Sequence, residues 1–179
     1  IYLDSFISKD SGLNVDAVSA AYAFIEGAAL AAYRFDKYFS KKEDAKPETP
    51  LALTLVAVDA AIATKYTKGI AIAQATVAGA ELCRDLSNEP SNELHPPIYA
   101  DIARKVAKEH GLKITVLDEK EIKKEKMGLL YGVGQGSVNP PRLVVLEYTP
   151  SKKAKKTIAF VGKGVTFDSG GISIKPSAK

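Results

Sequence analysis

The sequence predicts an α/β protein with a largely parallel sheet, and three observations carry that prediction. Leu51–Val58 (LALTLVAV) is an almost continuous apolar run of strand length, the pattern of a strand buried on both faces. From Ile98 onward, helical and strand patterns alternate, as in βαβ architecture. Of 179 residues, 46% are hydrophobic and 26% charged, which fills a core and excludes a disordered chain. That length accommodates one large or two small domains, at roughly 100–200 residues each.

Taken in order, residues 14–39 read as a helix, with Val18, Tyr22, Ile25, Ala29 and Ala32 on one face and Asn14 as its N-cap. Ser40–Pro50 is charged and proline-bearing, so it reads as a surface loop ahead of the Leu51–Val58 strand. A second, alanine-rich helix spans Thr67–Leu86, and its Gly69 and Gly79 permit close approach of other elements. Such a helix suits a spacer between two bodies. Ser87–Pro97 (SNEPSNELHPP) holds three prolines and marks the clearest boundary. Beyond it, Pro96-Pro97 opens a helix over Ile98–His110, and Gly111 closes it. Lys113–Leu117 is a short strand, and Asp118 caps a helix over Glu119–Lys126. A glycine-rich segment, Met127–Asn139, precedes two further strands, Arg142–Tyr148 and Thr157–Val161. The two sheet regions, Leu51–Val58 and the strands after residue 112, are expected to be separate.

The formal net charge of +4 is only mildly basic. The lysine runs Lys120–Lys126 and Lys152–Lys156 read as solvated surface rather than a nucleic-acid patch. Cys83 is the only cysteine, so no intramolecular disulfide forms and a reducing compartment is expected. No stretch has the length of a membrane span; Gly69–Ala80 is too short and is flanked by Lys68 and Glu81. The chain starts at Ile1 without a signal-peptide pattern and stops at Lys179 just after a glycine-rich turn, so it is expected to be an internal piece.

Two segments invite a chemical reading. Gly132–Ser137 (GVGQGS) has G-x-G-x-G spacing, but the dinucleotide fingerprint needs G-x-G-x-x-G opening a helix, and Asn139-Pro140-Pro141 follows instead. A tight turn is the better reading. Phe160–Pro176 (FVGKGVTFDSGGISIKP) begins as a buried strand. Its Gly162-Lys163-Gly164 turn is similar to a P-loop yet departs from it twice, at Thr157 and at Gly164, so an ATP site is a weak alternative. Lys163 lies at the C-terminal end of a strand, where open α/β sheets bind ligands. Asp168, Ser169-Gly170-Gly171 and Lys175 follow, with glycines that let the backbone bend polar groups together. Lys163 and Asp168 form either a plain ion pair or part of a metal site, in which a lysine ligates only after a cation drives off its proton. Spacing alone leaves both open. His95, His110, Cys83 and Ser169 read as structural: each histidine lacks a ligand-type neighbour, Cys83 reads as a small buried residue, and Ser169 has no nearby base.

The segment VGKGVTFDSGGISIKP strongly resembles the metal-site signature of the leucyl aminopeptidases, the M17 family of cytosolic dinuclear metallopeptidases. CRDLSNEPSNELHP at 83–96 resembles the start of that family's catalytic domain, and MGLLYGVGQGSVNPPRLVVLEY at 127–148 its following turn and strand. AYRFDKYFSKK at 32–42 is similar to the last long helix of the N-terminal domain. The likeness runs in order over essentially the whole chain.

The resemblance implies three parts: the C-terminal part of an N-terminal α/β domain (1–65), a linker helix and turn (66–97), and the first part of an α/β/α catalytic domain (98–179). It implies a metal-dependent aminopeptidase that releases N-terminal residues from peptides, with a leucine-type preference, through two divalent ions, zinc or manganese. Lys163 and Asp168 match metal ligands, and Lys175 matches the cationic lysine that stabilises the oxyanion. Peptide substrates, a homo-hexameric parent and a cytoplasmic location are expected on the same basis, without membrane or nucleic-acid partners. The family's later K-x-D-M-G-G-like and N-T-D-A-E-G-R-L segments have no counterpart here, so the chain alone is expected to be inactive. A phosphate-binding α/β domain, or the non-catalytic DNA binding reported within this family, are the alternative readings.

Overall fold

A computed structural model describes residues 1–3, 7, 12, 15–40, 52–150 and 156–166. The chain divides into two compact units, Ile1–Asn88 and Glu89–Lys179.

In the first unit, α1 (Ala17–Ala32) starts at Asp16, not at Asn14, which lies outside the described residues. Asp16 Oδ1 accepts the orphan N–H groups of Val18 (2.9 Å) and Ser19 (3.2 Å), and Oδ2 accepts the Ser19 hydroxyl at 2.6 Å. The Ser19 bonds, the side-chain one first, hold this carboxyl below its ordinary range. The helix ends at Ala32 rather than 39, because Tyr33 turns extended and bonds elsewhere. Its hydroxyl donates to Asp85 at 2.7 Å and accepts from Asn88 at 3.2 Å.

The second helix, α2 (Ala60–Asn88), runs 29 residues and begins about two turns earlier than the expected Thr67. Asp59 explains the early start: its carboxylate accepts the Ile62 N–H at 2.7 Å. The helix packs along α1 inside the first unit. At Gly69 the approach is so close that a Cβ would stand 2.4 Å from the Val18 carbonyl oxygen. Around this contact Leu3, Ala17, Ala20, Ala21 and Tyr66 form a buried core. At the far end, Arg84 donates to the exposed end of α1 at the Leu30 oxygen (2.8 Å) and stacks 5.2 Å from the Tyr33 ring centroid.

Leu51–Val58 does not form the expected strand. Leu51 lies outside the described residues, and residues 52–58 make a single parallel bridge, Val56 with Tyr2. Val56 N–H donates to Ile1 O at 2.9 Å, and the N-terminal amine donates to Thr54 O at 2.6 Å. An apolar run records a capacity to pair, and a ladder needs a partner of matching length. Among the described residues, this segment makes no ladder beyond that bridge.

In the second unit, α3 (Pro96–His110) opens with both prolines in its first turn and closes at Gly111, whose φ of 65° suits glycine. It buries Ala100, Ala103 and Ala107. Strand β1 (Lys113–Leu117) follows as expected. A capping box then starts α4 (Glu119–Lys124): Asp118 accepts Glu121 N–H at 2.9 Å while Glu121 accepts Asp118 N–H at 2.8 Å. The helix stops short of Lys126, which takes a φ of 57°. Fully buried Ile122 anchors it. Part of the glycine-rich segment is itself helical, as α5 (Gly128–Gly134), before β2 (Leu143–Glu147).

The α/β class holds, but the ladder among the described residues is antiparallel, not parallel. β1 pairs with β2 from Lys113↔Glu147 to Leu117↔Leu143, closed at one end by a Lys113–Glu147 ion pair of 2.8 Å. The two short helices between the strands, α4 and α5, return the chain to the end it left rather than crossing over, which sets the antiparallel sense. Residues 157–161, expected as a strand, are exposed and outside any ladder.

Candidate metal centre

The expected site converges on the segment after residue 155. Lys163 lies in the described stretch 156–166, outside helix and ladder, with its side chain exposed. Gly162 and Gly164 flank it, and a Cβ on either would meet nothing within 4 Å, so the backbone on both sides is open to approach. Asp168 and Lys175 lie outside the described residues. Among the described residues, no group of three or more His, Cys, Asp or Glu side chains could hold a metal ion. A lysine in an open loop and an aspartate five residues later are donors of the kind a divalent cation takes. The described residues supply only the lysine, so they do not by themselves make a metal centre.

The remaining sequence-level candidates are placed more fully. Gly132–Ser137 straddles the C-terminal end of α5, where Ser137 N–H donates to Gly134 O at 3.1 Å. A helix C-terminus presents carbonyls and partial negative charge, the opposite of a phosphate cradle. Gly134 is there for packing: a Cβ would stand 2.8 Å from the ring of Pro141. His110 sits in the last turn of α3. His95 occupies the N-cap of that helix without capping it through its side chain, and its Nδ1 is buried with no hydrogen-bond partner. Cys83, expected to be buried, is exposed on α2. The alanine-rich contact with α1 occupies a different stripe of that helix, centred on Tyr66, Gly69 and Ala73.

Sequence reasoning gave no notice of a charged groove of about 370 Å³ at the end of β1, lined by Asp101, Arg104, Asp118, Glu121 and Arg142 among others. Its charges are engaged locally. Arg104 holds Asp101 at 2.6 Å, Asp118 and Glu121 form the capping box, and Arg142 donates to the Pro140 and Pro141 carbonyls at 3.2 and 2.9 Å. The groove therefore reads as structure that fixes the turn into β2. A larger, mainly apolar groove of about 580 Å³ lies in the first unit, between residues 54–57 and α2.

The second unit is of α/β type, and the sequence that follows its last strand carries Lys163 and Asp168. The family model of the cytosol aminopeptidase family, catalytic domain, matches residues 81–179, and the chain belongs to that family. A probable cytosol aminopeptidase of Aquifex aeolicus is 47% identical over 154 residues, covering 86% of this chain and 30% of that protein. One from Rhizobium etli is 44% identical over 169 residues, covering 93% and 33%. Among solved structures, the bottromycin maturation enzyme BotP in complex with Mn superposes with a TM-score of 0.67 at 40% identity, covering 93% of this chain and 32% of its own. The chain thus spans about a third of the length of the curated relatives it matches. Among the described residues, no helix is long and apolar enough to cross a membrane.

Proposed function

We propose that this chain contributes part of a metal-dependent aminopeptidase that releases N-terminal residues, leucine among them, from peptides. The observation that carries this reading is the family match over 81–179, a range that contains Lys163, Asp168 and Lys175. In this reading Lys163 and Asp168 hold divalent ions, zinc or manganese, and Lys175 serves the reacting carbonyl. When bound, two such ions lower the pKa of a water and polarise the scissile carbonyl. The protein residues divide the remaining work. Asp168 is a hard oxygen donor that offsets part of the cationic charge. Lys163 ligates as a free amine, and its exposed position between two open glycines leaves the amine accessible. Lys175 stays an ammonium and stabilises negative charge developing on the carbonyl oxygen. The complex of BotP with Mn supports a divalent-metal reading.

The proposed organisation is an N-terminal domain part (1–65), a linker helix and turn (66–97) and a catalytic part (98–179). The boundary between the compact units, at Asn88 and Glu89, falls within the middle segment. A homo-oligomeric, hexameric assembly acting on peptides in the cytoplasm completes the proposal. The 179-residue chain alone supplies too few ligands for two ions and is expected not to turn over. The test is hydrolysis of a leucine amide, with zinc or manganese, by the chain of this sequence and by a full-length protein carrying it. The full-length protein should be active and lose at least a hundredfold on Asp168→Ala. An active full-length protein indifferent to Asp168→Ala and to chelation overturns the metal reading, and no activity under any metal overturns the aminopeptidase reading. Two metals bound tightly by the 179-residue chain overturn the claim that its ligands are too few.

A further inference from the structure

We draw no further inference here: the strongest candidate, the open glycine-and-apolar ridge of α5 in the second unit, where Gly128 and Gly132 have free space above them and Leu129 and Val133 are exposed, carries nothing because nothing in the structure shows what covers it.

Discussion

Gly69 in the first unit and Gly132 in the second use glycine in opposite ways. In the first, α2 brings Gly69 against the backbone of α1, and the alanine stripe of α1 closes over Tyr66. The helices consume each other's small-residue faces. In the second, α5 carries Gly128 and Gly132 with no atom within 4 Å of a would-be Cβ, and Leu129 is 92% exposed. Ile158, Phe160 and Val161 are likewise exposed. Glycine is thus a packing element at Gly69 and open surface at Gly132. Glycine content in a helix does not report packing; the neighbour does.

The largest expected effect follows from Gly69. A Gly69→Ala Cβ would meet the Val18 oxygen at 2.4 Å and the Ala21 Cβ at 2.9 Å. The first contact is backbone, which cannot rotate away, so α1 and α2 must separate. Overpacking of this kind costs roughly 2–3 kcal/mol, well above the ~1 kcal/mol gained in helix propensity. Urea unfolding followed by far-UV circular dichroism should show a lower midpoint. An unchanged midpoint would mean the helices are not in contact there. The matching substitution in the second unit, Gly132→Ala, should stabilise by about 0.5–1 kcal/mol, because only the propensity gain remains. Equal signs for the two would break the comparison.

Gly134 marks where the contrast stops. It sits at the end of the same α5, yet a Cβ would stand 2.8 Å from Pro141, itself buried. Gly134→Ala should therefore destabilise by roughly 1–2 kcal/mol, since a rigid ring must shift. Loss of amide-exchange protection confined to residues near β2 would be the signature, and unchanged protection would count against the contact. On the open face, Leu129→Lys with Val133→Lys should alter stability by no more than about 0.5 kcal/mol, as at exposed sites generally. The pair should reduce self-association of the chain in light scattering, because it removes exposed apolar area. Association unaffected by the pair would show that this ridge is not the sticky surface.

What the sequence disclosed tracks how local each signal is. Pro96-Pro97, Gly111 and the Asp118–Glu121 pair act within a few residues, and α3, β1 and the start of α4 fall where those signals put them. Asp59 is an equally local cap, and reading it would have placed the start of α2 correctly. The failures are non-local. Leu51–Val58 and Thr157–Val161 have strand composition, but a strand exists only by pairing, and no property of those runs names the partner. The antiparallel sense of β1 and β2 is likewise set by where α4 and α5 return the chain. For the site, spacing left Lys163 and Asp168 open between an ion pair and a metal. The resemblance alone singled out Lys175, and Asp168 and Lys175 lie outside the described residues.

The smallest effect separates the units by pH. Asp118 sits in the second unit with its carboxyl held below the ordinary range, first by the Glu121 N–H bond, then by the Lys120 N–H and the charges of Arg142 and Lys120, against some opposing desolvation. A depressed folded-state pKa contributes stability that is present above the unfolded value, near 3.8, and lost as pH falls through the lower folded value. Protonation leaves the Glu121 N–H without its charged acceptor, so the first turn of α4 should loosen in acid. Asp16 carries the same logic in the first unit, where it caps α1. Asp118→Asn keeps a side-chain oxygen for the cap but removes the titration, so it separates geometry from charge. Amide exchange at Ile122 and Lys123, followed from pH 6 to pH 2, should accelerate in the wild type and stay nearly flat relative to intrinsic rates in Asp118→Asn. The Asp16→Asn variant should flatten only the response of Val18 and Ser19. An acid response at Ile122 that survives Asp118→Asn would show that the Asp118 carboxylate is not its source.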